Sequence, residues 1–262
     1  MREKPTIGII AIAKVNHQKD EIRQMLDSYR KRLTQEQEYE AMFSEEVLFE
    51  ENAIVKTAQH MEREGADAIV FIVGTWIFSS HVISAAHMIH IPFVVYGLSD
   101  RIANGNFGAS IQIRYVLQEM GERFLYLYGS AMDEENYKKI LAYTRAAWTR
   151  HAMENKKIAT IGGKCMMMYQ TQVNEFSWKQ KFGVDFPQYD TVQLLTEMKH
   201  VSEAEAEQIA DQFVGLFDRV VWEIPQTGEY IAQDAVVSQA KMFLAFKRLK
   251  ELYGIEVFAN KC

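Results

Sequence analysis

The strongest constraint in this sequence is a run that is apolar on both faces of an extended chain. Thr6-Ile7-Gly8-Ile9-Ile10-Ala11-Ile12-Ala13 shows no polar alternation. A strand of that kind must be covered on both sides, as helices cover the central strands of parallel sheets. Ala68 to Val73, Pro92 to Gly97 and Phe124 to Gly129 are further strands. The segments between them change period. Ile22, Met25, Leu26 and Tyr29 fall three and four apart in residues 18–34, and Ile54, Val55, Ala58 and Met61 mark one helix face in 53–64, which stops near Gly65. Helices are expected again over 80–88 and 109–120. Strands alternating with helices make βαβ units and a parallel sheet of about five strands. Glu46 to Glu50 is the expected second strand.

Residues 132–154 read as one long helix carrying Tyr137, Ile140, Leu141, Ala147 and Trp148. The polar stretch Glu154 to Lys157 then marks a boundary, giving domains 1–155 and 156–262. The pattern restarts with a strand at Ile158 to Ile161, the pair Gly162-Gly163, a partly helical segment to Phe182 and a short strand around Val184 to Phe186. Asp190 is placed to cap a helix beginning near Thr191. Ser202 with Glu205 three positions on has the form of a capping box. A long helix from Ala232 to Tyr253 closes at Gly254, and a last strand follows from Ile255 to Asn260. A chain that stops just past a strand end, where site loops of parallel sheets begin, reads as a second domain cut short.

The length of 262 residues suits one large α/β domain or two ordinary ones. A formal charge of −6 gives no electrostatic reason to bind nucleic acid. Two cysteines, Cys165 and Cys262, cannot make a disulfide scaffold and fit a reducing compartment. No apolar window approaches the roughly 18 residues that cross a bilayer, and the short apolar start lacks a cleavage site. A soluble cytoplasmic protein is expected, with neither a nucleic-acid nor a membrane partner.

Several chemistries are excluded by spacing. Gly8 to Ala13 lacks the second and third glycines of a dinucleotide fingerprint, and Gly162-Gly163-Lys164-Cys165-Met166-Met167 puts methionine where a phosphate needs close backbone approach. There is no GxxxxGK[ST] loop. The seven histidines have no zincin spacing and read as helix-surface or capping residues, except His17, which follows the first strand where parallel sheets present ligand-facing groups. Cys165, flanked by Met166 to Met168, reads as a small buried hydrophobe. Trp76 stands out in Gly74-Thr75-Trp76-Ile77-Phe78-Ser79-Ser80, where an aromatic ring beside hydroxyls suits the apolar face of a sugar. Packing at one end of the sheet would account for it equally well. Asp100, just past a strand, is placed to reach a crevice or to lie on a loop surface.

Three stretches together resemble the L-fucose isomerase and L-arabinose isomerase superfamily. They are Lys4-Pro5-Thr6-Ile7-Gly8-Ile9; then Gly74 to Ser79 followed by Ile91 to Gly97; and Gly162 to Tyr169 followed by Trp178 to Asp185 and Asp190. The resemblance spans essentially the whole chain but only the first two of the family's three domains. It implies two Rossmann-like (flavodoxin-like) three-layer parallel-sheet domains without the family's C-terminal catalytic domain. It also implies aldose–ketose isomerisation, with proton transfer between C1 and C2 at a divalent cation, usually Mn2+, that holds the sugar oxygens. The family's metal ligands and acid–base groups follow the position of Cys262. No catalytic or metal-binding residue is therefore carried over, and the chain alone is expected to be inactive.

What the resemblance does carry over is a monosaccharide pocket wall. Trp76 matches a tryptophan that reaches the sugar in a neighbouring subunit's site, Met166 a methionine near the substrate, and Asn260 a glutamine beside the pocket. Where the fucose branch has an arginine after its first strand, this chain has Ala13-Lys14-Val15-Asn16-His17, so Lys14 or His17 takes that place. Asp100 and Asn106 fall on the pocket rim, and a trimer or hexamer is implied. The alternative is a two-lobed α/β sugar-binding or regulatory protein without chemistry.

Overall fold

The computed structural model describes residues 3–14, 19–99, 105–130, 133–164, 168–169, 172–224 and 226–260, with the backbone alone at 19 and 21. It is an α/β structure of parallel sheets flanked by helices, and it divides into two compact units, residues 1–152 and 153–262. The elements of the first are β1 (Thr6–Ile12), α1 (Lys19–Gln35), β2 (Glu40–Phe43), α2 (Glu51–Arg63), β3 (Ala68–Val73), α3 (Ser79–His87), β4 (Phe93–Leu98), α4 (Asn106–Glu119), β5 (Leu125–Gly129) and α5 (Glu134–Met153).

All pairings of the five-stranded sheet are parallel, in the order β2-β1-β3-β4-β5. Every residue of β1, β3 and β4 is buried. The reason is visible in the two cores. On one face Ile7, Ile9, Val70, Ile72, Val94 and Tyr96 meet Ile22, Leu26 and Tyr29 of α1 and Tyr137 and Ile140 of α5. On the other, Ile10, Ile12, Phe71, Phe93 and Val95 meet α2, α3 and α4 through Ile54, Val82 and Ile113. Fully burying an isoleucine or phenylalanine side chain contributes about 1.5–3 kcal/mol, so the doubly covered strands hold the unit together. Register at the amino end of the central pair is set reciprocally. Thr6 N–H donates to the buried Asp67 Oδ2 at 2.7 Å, and Asp67 N–H donates to the Thr6 carbonyl at 2.8 Å.

The second strand lies earlier than the sequence pattern suggests. β2 occupies Glu40–Phe43, and the apolar stretch after it contributes a lone bridge, Leu48 with Ile12. Ser44 still donates to the Ile9 carbonyl; the chain then bulges through exposed Glu45 and Glu46 before Leu48 returns to the Ala11 carbonyl. An edge strand needs only one ladder of bonds, so a weakly apolar segment can serve.

The second unit contains β6 (Ile158–Ile161), α6 (Glu175–Phe182), β7 (Gln188–Tyr189), α7 (Thr191–Met198), α8 (Glu203–Val214), α9 (Gln233–Tyr253) and β8 (Val257–Asn260). Its parallel sheet has the order β7-β6-β8. Leu194 of α7 and Ala245 and Leu249 of α9 cover Ile161. The strand expected at 184–186 lies instead at Gln188–Tyr189, with Asp185 making one bridge to Lys157. The carbonyls of Asp185, Pro187 and Tyr189 accept in turn from Ile158, Thr160 and Gly162. Pro187 has no N–H to lose on an edge. Both expected caps form: Asp190 with Gln193 opens α7, and Ser202 with Glu205 opens α8.

Gly97 in β4 is where α4 comes closest to the sheet. A Cβ there would meet the Ser110 hydroxyl and lie 2.7 Å from Ser110 Cβ. Gly97→Ala should therefore destabilise the protein by about 1–3 kcal/mol through overpacking. Urea denaturation checks this.

Candidate functional site

The strand order places the switch point of the first sheet between β1 and β3, since the chain proceeds from β1 to one side and returns to the other. In open parallel sheets the carboxyl ends of such a pair border a crevice, because the helices that follow leave on opposite faces. Here α1 follows β1 onto one face and α3 follows β3 onto the other. Lys14 stands just past β1, and Thr75 and Trp76 just past β3.

This edge is tightly organised. Gly74 N–H donates to the Ile12 carbonyl at 2.9 Å, continuing the ladder beyond the strand. Lys14 N–H donates to Thr75 Oγ1 at 2.8 Å, tying the two strand ends together through a fully buried threonine. A Cβ on Gly74 would lie 2.6 Å from Ile22 Cδ1, so the glycine lets α1 close on the sheet directly behind the site. Beyond it the chain alternates. Trp76 is 37% exposed, Ile77 is fully buried, and Phe78 is 55% exposed. The Trp76 and Phe78 rings meet edge to face with centroids 5.0 Å apart, and Lys14 Nζ lies over the Trp76 ring at 5.8 Å from its centroid. Buried Ile77 anchors a loop that presents two aromatic rings, and Lys14, from the end of β1, lays its ammonium beside them.

The start of α4 supports the same tryptophan. Gly105 has φ +80°, and a Cβ on it would lie 3.0 Å from Trp76 Cβ. Asn106 is buried; its amide donates to the Leu98 carbonyl, and its Oδ1 accepts from Phe107 N–H at 2.8 Å. Its polar atoms thus bind the backbone, and it shapes the rim by fixing α4 to the end of β4. Phe107 and Tyr128 continue an exposed aromatic border, with centroids 4.9 Å apart.

One neighbouring group differs from its reading in the sequence. His81 is no surface histidine: it is 7% exposed, lies between the rings of Phe49 and Phe78, and its buried Nδ1 has no hydrogen-bond partner among the described residues. Beside it, Ser84 Oγ donates to Glu51 Oε1 at 2.7 Å. The Ser84 and Ser80 hydroxyls hold the Glu51 carboxyl below its ordinary range, with a smaller contribution from His81. Helical spacing could have put His81 on α3, but only the covering of α3 by Phe49 makes it interior. Thr75 and Phe78 also act in the site, and strand-end position was the signal that marked them.

Of the residues selected from the sequence, Lys14 and Trp76 come together, with Asn106 behind the rim. Asn260 belongs to the second unit. It ends β8 opposite Ile161 of β6 and is exposed at the carboxyl edge of that sheet, where Gly162 and Gly163 follow β6 with φ +85° and +72°. His17, Asp100, Met166 and Cys165 lie outside the described residues. A separate groove of about 630 Å3 in the second unit is lined by Ile209, Phe213, Ile231, Val236 and Phe243. It presents almost no polar group with which to orient a small ligand.

A divalent cation needs several convergent oxygen or imidazole ligands. Among the described residues no three His, Cys, Asp or Glu side chains converge, so these residues do not fit a manganese centre. No helix among them is long and apolar enough to cross a membrane. No protein-family model matches the chain, and no curated protein matches it.

Gly105→Ala should cost about 1–2 kcal/mol, from the left-handed backbone that a side chain resists. It should also push Trp76 from its place, shifting its fluorescence emission. Comparison with the same change in a Trp76→Phe background isolates that signal from the other tryptophans.

Proposed function

We propose that this chain is the sugar-holding part of a divalent-metal-dependent aldose–ketose isomerase of the L-fucose or L-arabinose type. The observation that carries the reading is the half-exposed Trp76, held by Thr75 and Gly105 at the β1/β3 switch point beside Phe78 and Lys14. An indole face suits the apolar C–H face of a pyranose or furanose ring, while a neighbouring ammonium suits a hydroxyl or carbonyl oxygen. The resemblance of the Gly74 to Ser79 loop and the Gly162 to Tyr169 segment to that superfamily supplies the reaction class. Flavodoxin-like domains follow from the same resemblance and agree with the 2-1-3-4-5 strand order.

In this reading the described residues bind and orient. Trp76 stacks on the sugar, Phe78 braces the indole edge, and Lys14 contacts an oxygen. Acid–base and cation-holding groups come from outside the described residues, and no proton transfer is assigned to them. Trp76 would be offered to a neighbouring subunit's site, which makes a trimer or hexamer the working assembly.

Two measurements test the proposal. Titration of the purified chain with L-fucose, D-arabinose and L-arabinose should show roughly millimolar binding. Trp76→Ala should weaken it by about tenfold, equivalent to ~1.4 kcal/mol of lost stacking. Ketose formation from the same sugars with added Mn2+ should be absent for the chain alone. Binding indifferent to Trp76, or robust turnover by this chain, overturns the proposal.

A further inference from the structure

We infer that the apolar groove of the second unit is an interface on which a second copy of this chain docks, two-fold, through α8 and α9. The inference is independent of the sugar reading and uses none of its residues.

The groove follows from how the two helices share their apolar residues. Ala206 and Ala210 of α8 meet Ala240 of α9, with Ile209, Val236 and Leu244 packed beside them. Small side chains let the helices close here. The same two stripes run on to Phe213 and Phe243, three positions beyond Ala210 and Ala240. Neither ring is covered. With Ile231 they line a hollow of about 630 Å3 in which no charged side chain takes part.

The exposed area suits one half of a dimer. Phe213, Phe217 and Phe243 are each just over half exposed, Leu216 is 78% exposed and Ile231 38%. At roughly 200 Å2 for a whole side chain of this size, these five present about 550 Å2 of apolar surface. A standard interface takes about 800 Å2 from each partner, and about 65% of a homodimer interface is apolar, or about 520 Å2.

Shape and charge point to the same occupant. Phe217 packs edge to face on Phe213 with centroids 5.4 Å apart, so with Leu216 it forms a ridge beside the hollow. A ridge and a hollow on one surface are what a two-fold interface needs, since each copy then fills the other. α8 carries Glu203, Glu205, Glu207 and Asp211 and no lysine or arginine. α9 carries Lys241, Lys247, Arg248 and Lys250 against Asp234 and Glu251. Two α8 helices side by side would repel, whereas α8 on the partner's α9 is attractive, and a two-fold axis makes that pairing twice.

Sedimentation equilibrium tests this on the purified chain. At about 50 µM the mass should be that of two chains, or of six where the trimer proposed above also forms. Leu216→Glu and Phe243→Glu should each halve it, raising the dissociation constant of the pair by at least about 30-fold, as for loss of an interface hot spot. Both side chains are exposed in the single chain, so an unchanged far-UV spectrum and urea midpoint separate lost pairing from lost folding. Phe176→Glu, at a ring 90% exposed on α6, should leave the mass unchanged. The apolar dye 1-anilinonaphthalene-8-sulfonate should fluoresce weakly with the wild type and strongly with Leu216→Glu, whose hollow is opened.

A wild-type monomer or trimer overturns the inference, and strong dye fluorescence from it assigns the hollow to a small apolar ligand or a different partner. A mass that both groove variants leave intact, or that Phe176→Glu lowers as much, also overturns it. The sugar reading stands or falls separately, on Trp76.

Discussion

The parallel pairing of β1 with β3 is the interaction on which the first unit depends. Six residue pairs run from Ile7 with Ala68 to Ile12 with Val73. The pairing is closed at one end by Thr6 and Asp67 and prolonged at the other by Gly74 and Thr75. Both strands are buried on both faces, so neither can slip without moving an apolar side chain from one core to the other. The pairing also sets the geometry of function. β2 and β3 lie on opposite sides of β1, so the connecting helices part at the carboxyl edge, and the residues just past β1 and β3 line the opening.

The site uses that rigidity in a specific way. Trp76 and Phe78 are exposed because Ile77 between them is buried, and Lys14 is placed because its amide is bonded to a threonine in the core. The side chains that would meet a ligand are exposed in part and pack on one another, while the backbone carrying them is fixed. Preorganisation of this kind lowers the ordering cost of binding. The cost falls on the support: Gly74 and Gly105 are held to hydrogen by Ile22 and Trp76, and the Asn106 amide is committed to the backbone.

The second unit repeats the arrangement on a smaller scale. β6 is central, β7 and β8 lie to either side, and the residues past β6 and β8 are the glycine pair 162–163 and the end of the strand at Asn260. Its order depends more on local devices. Two capping boxes open α7 and α8, and the αL residue Gly254 ends α9, where the first unit has two doubly covered cores.

Much of this was legible in the sequence because it is encoded locally. Continuous apolar runs specified β1, β3 and β4; spacing of three and four specified α1 and α2; and a capping aspartate marked the start of α7 and a serine followed three positions later by glutamate the start of α8. Position just past a strand was enough to single out Trp76, whereas Lys14 was selected only through the resemblance to the isomerase superfamily. Edge strands were the misreadings. β2 and β7 are short, bury little, and take their place from ladders offered by β1 and β6, so their own residues carry a weak signal. Tertiary structure alone decided that His81 is interior, that Asn106 serves the backbone, and that Lys14 rests on Trp76. Each of these depends on contacts between segments far apart along the chain, and no periodicity records which distant side chain will cover a given position.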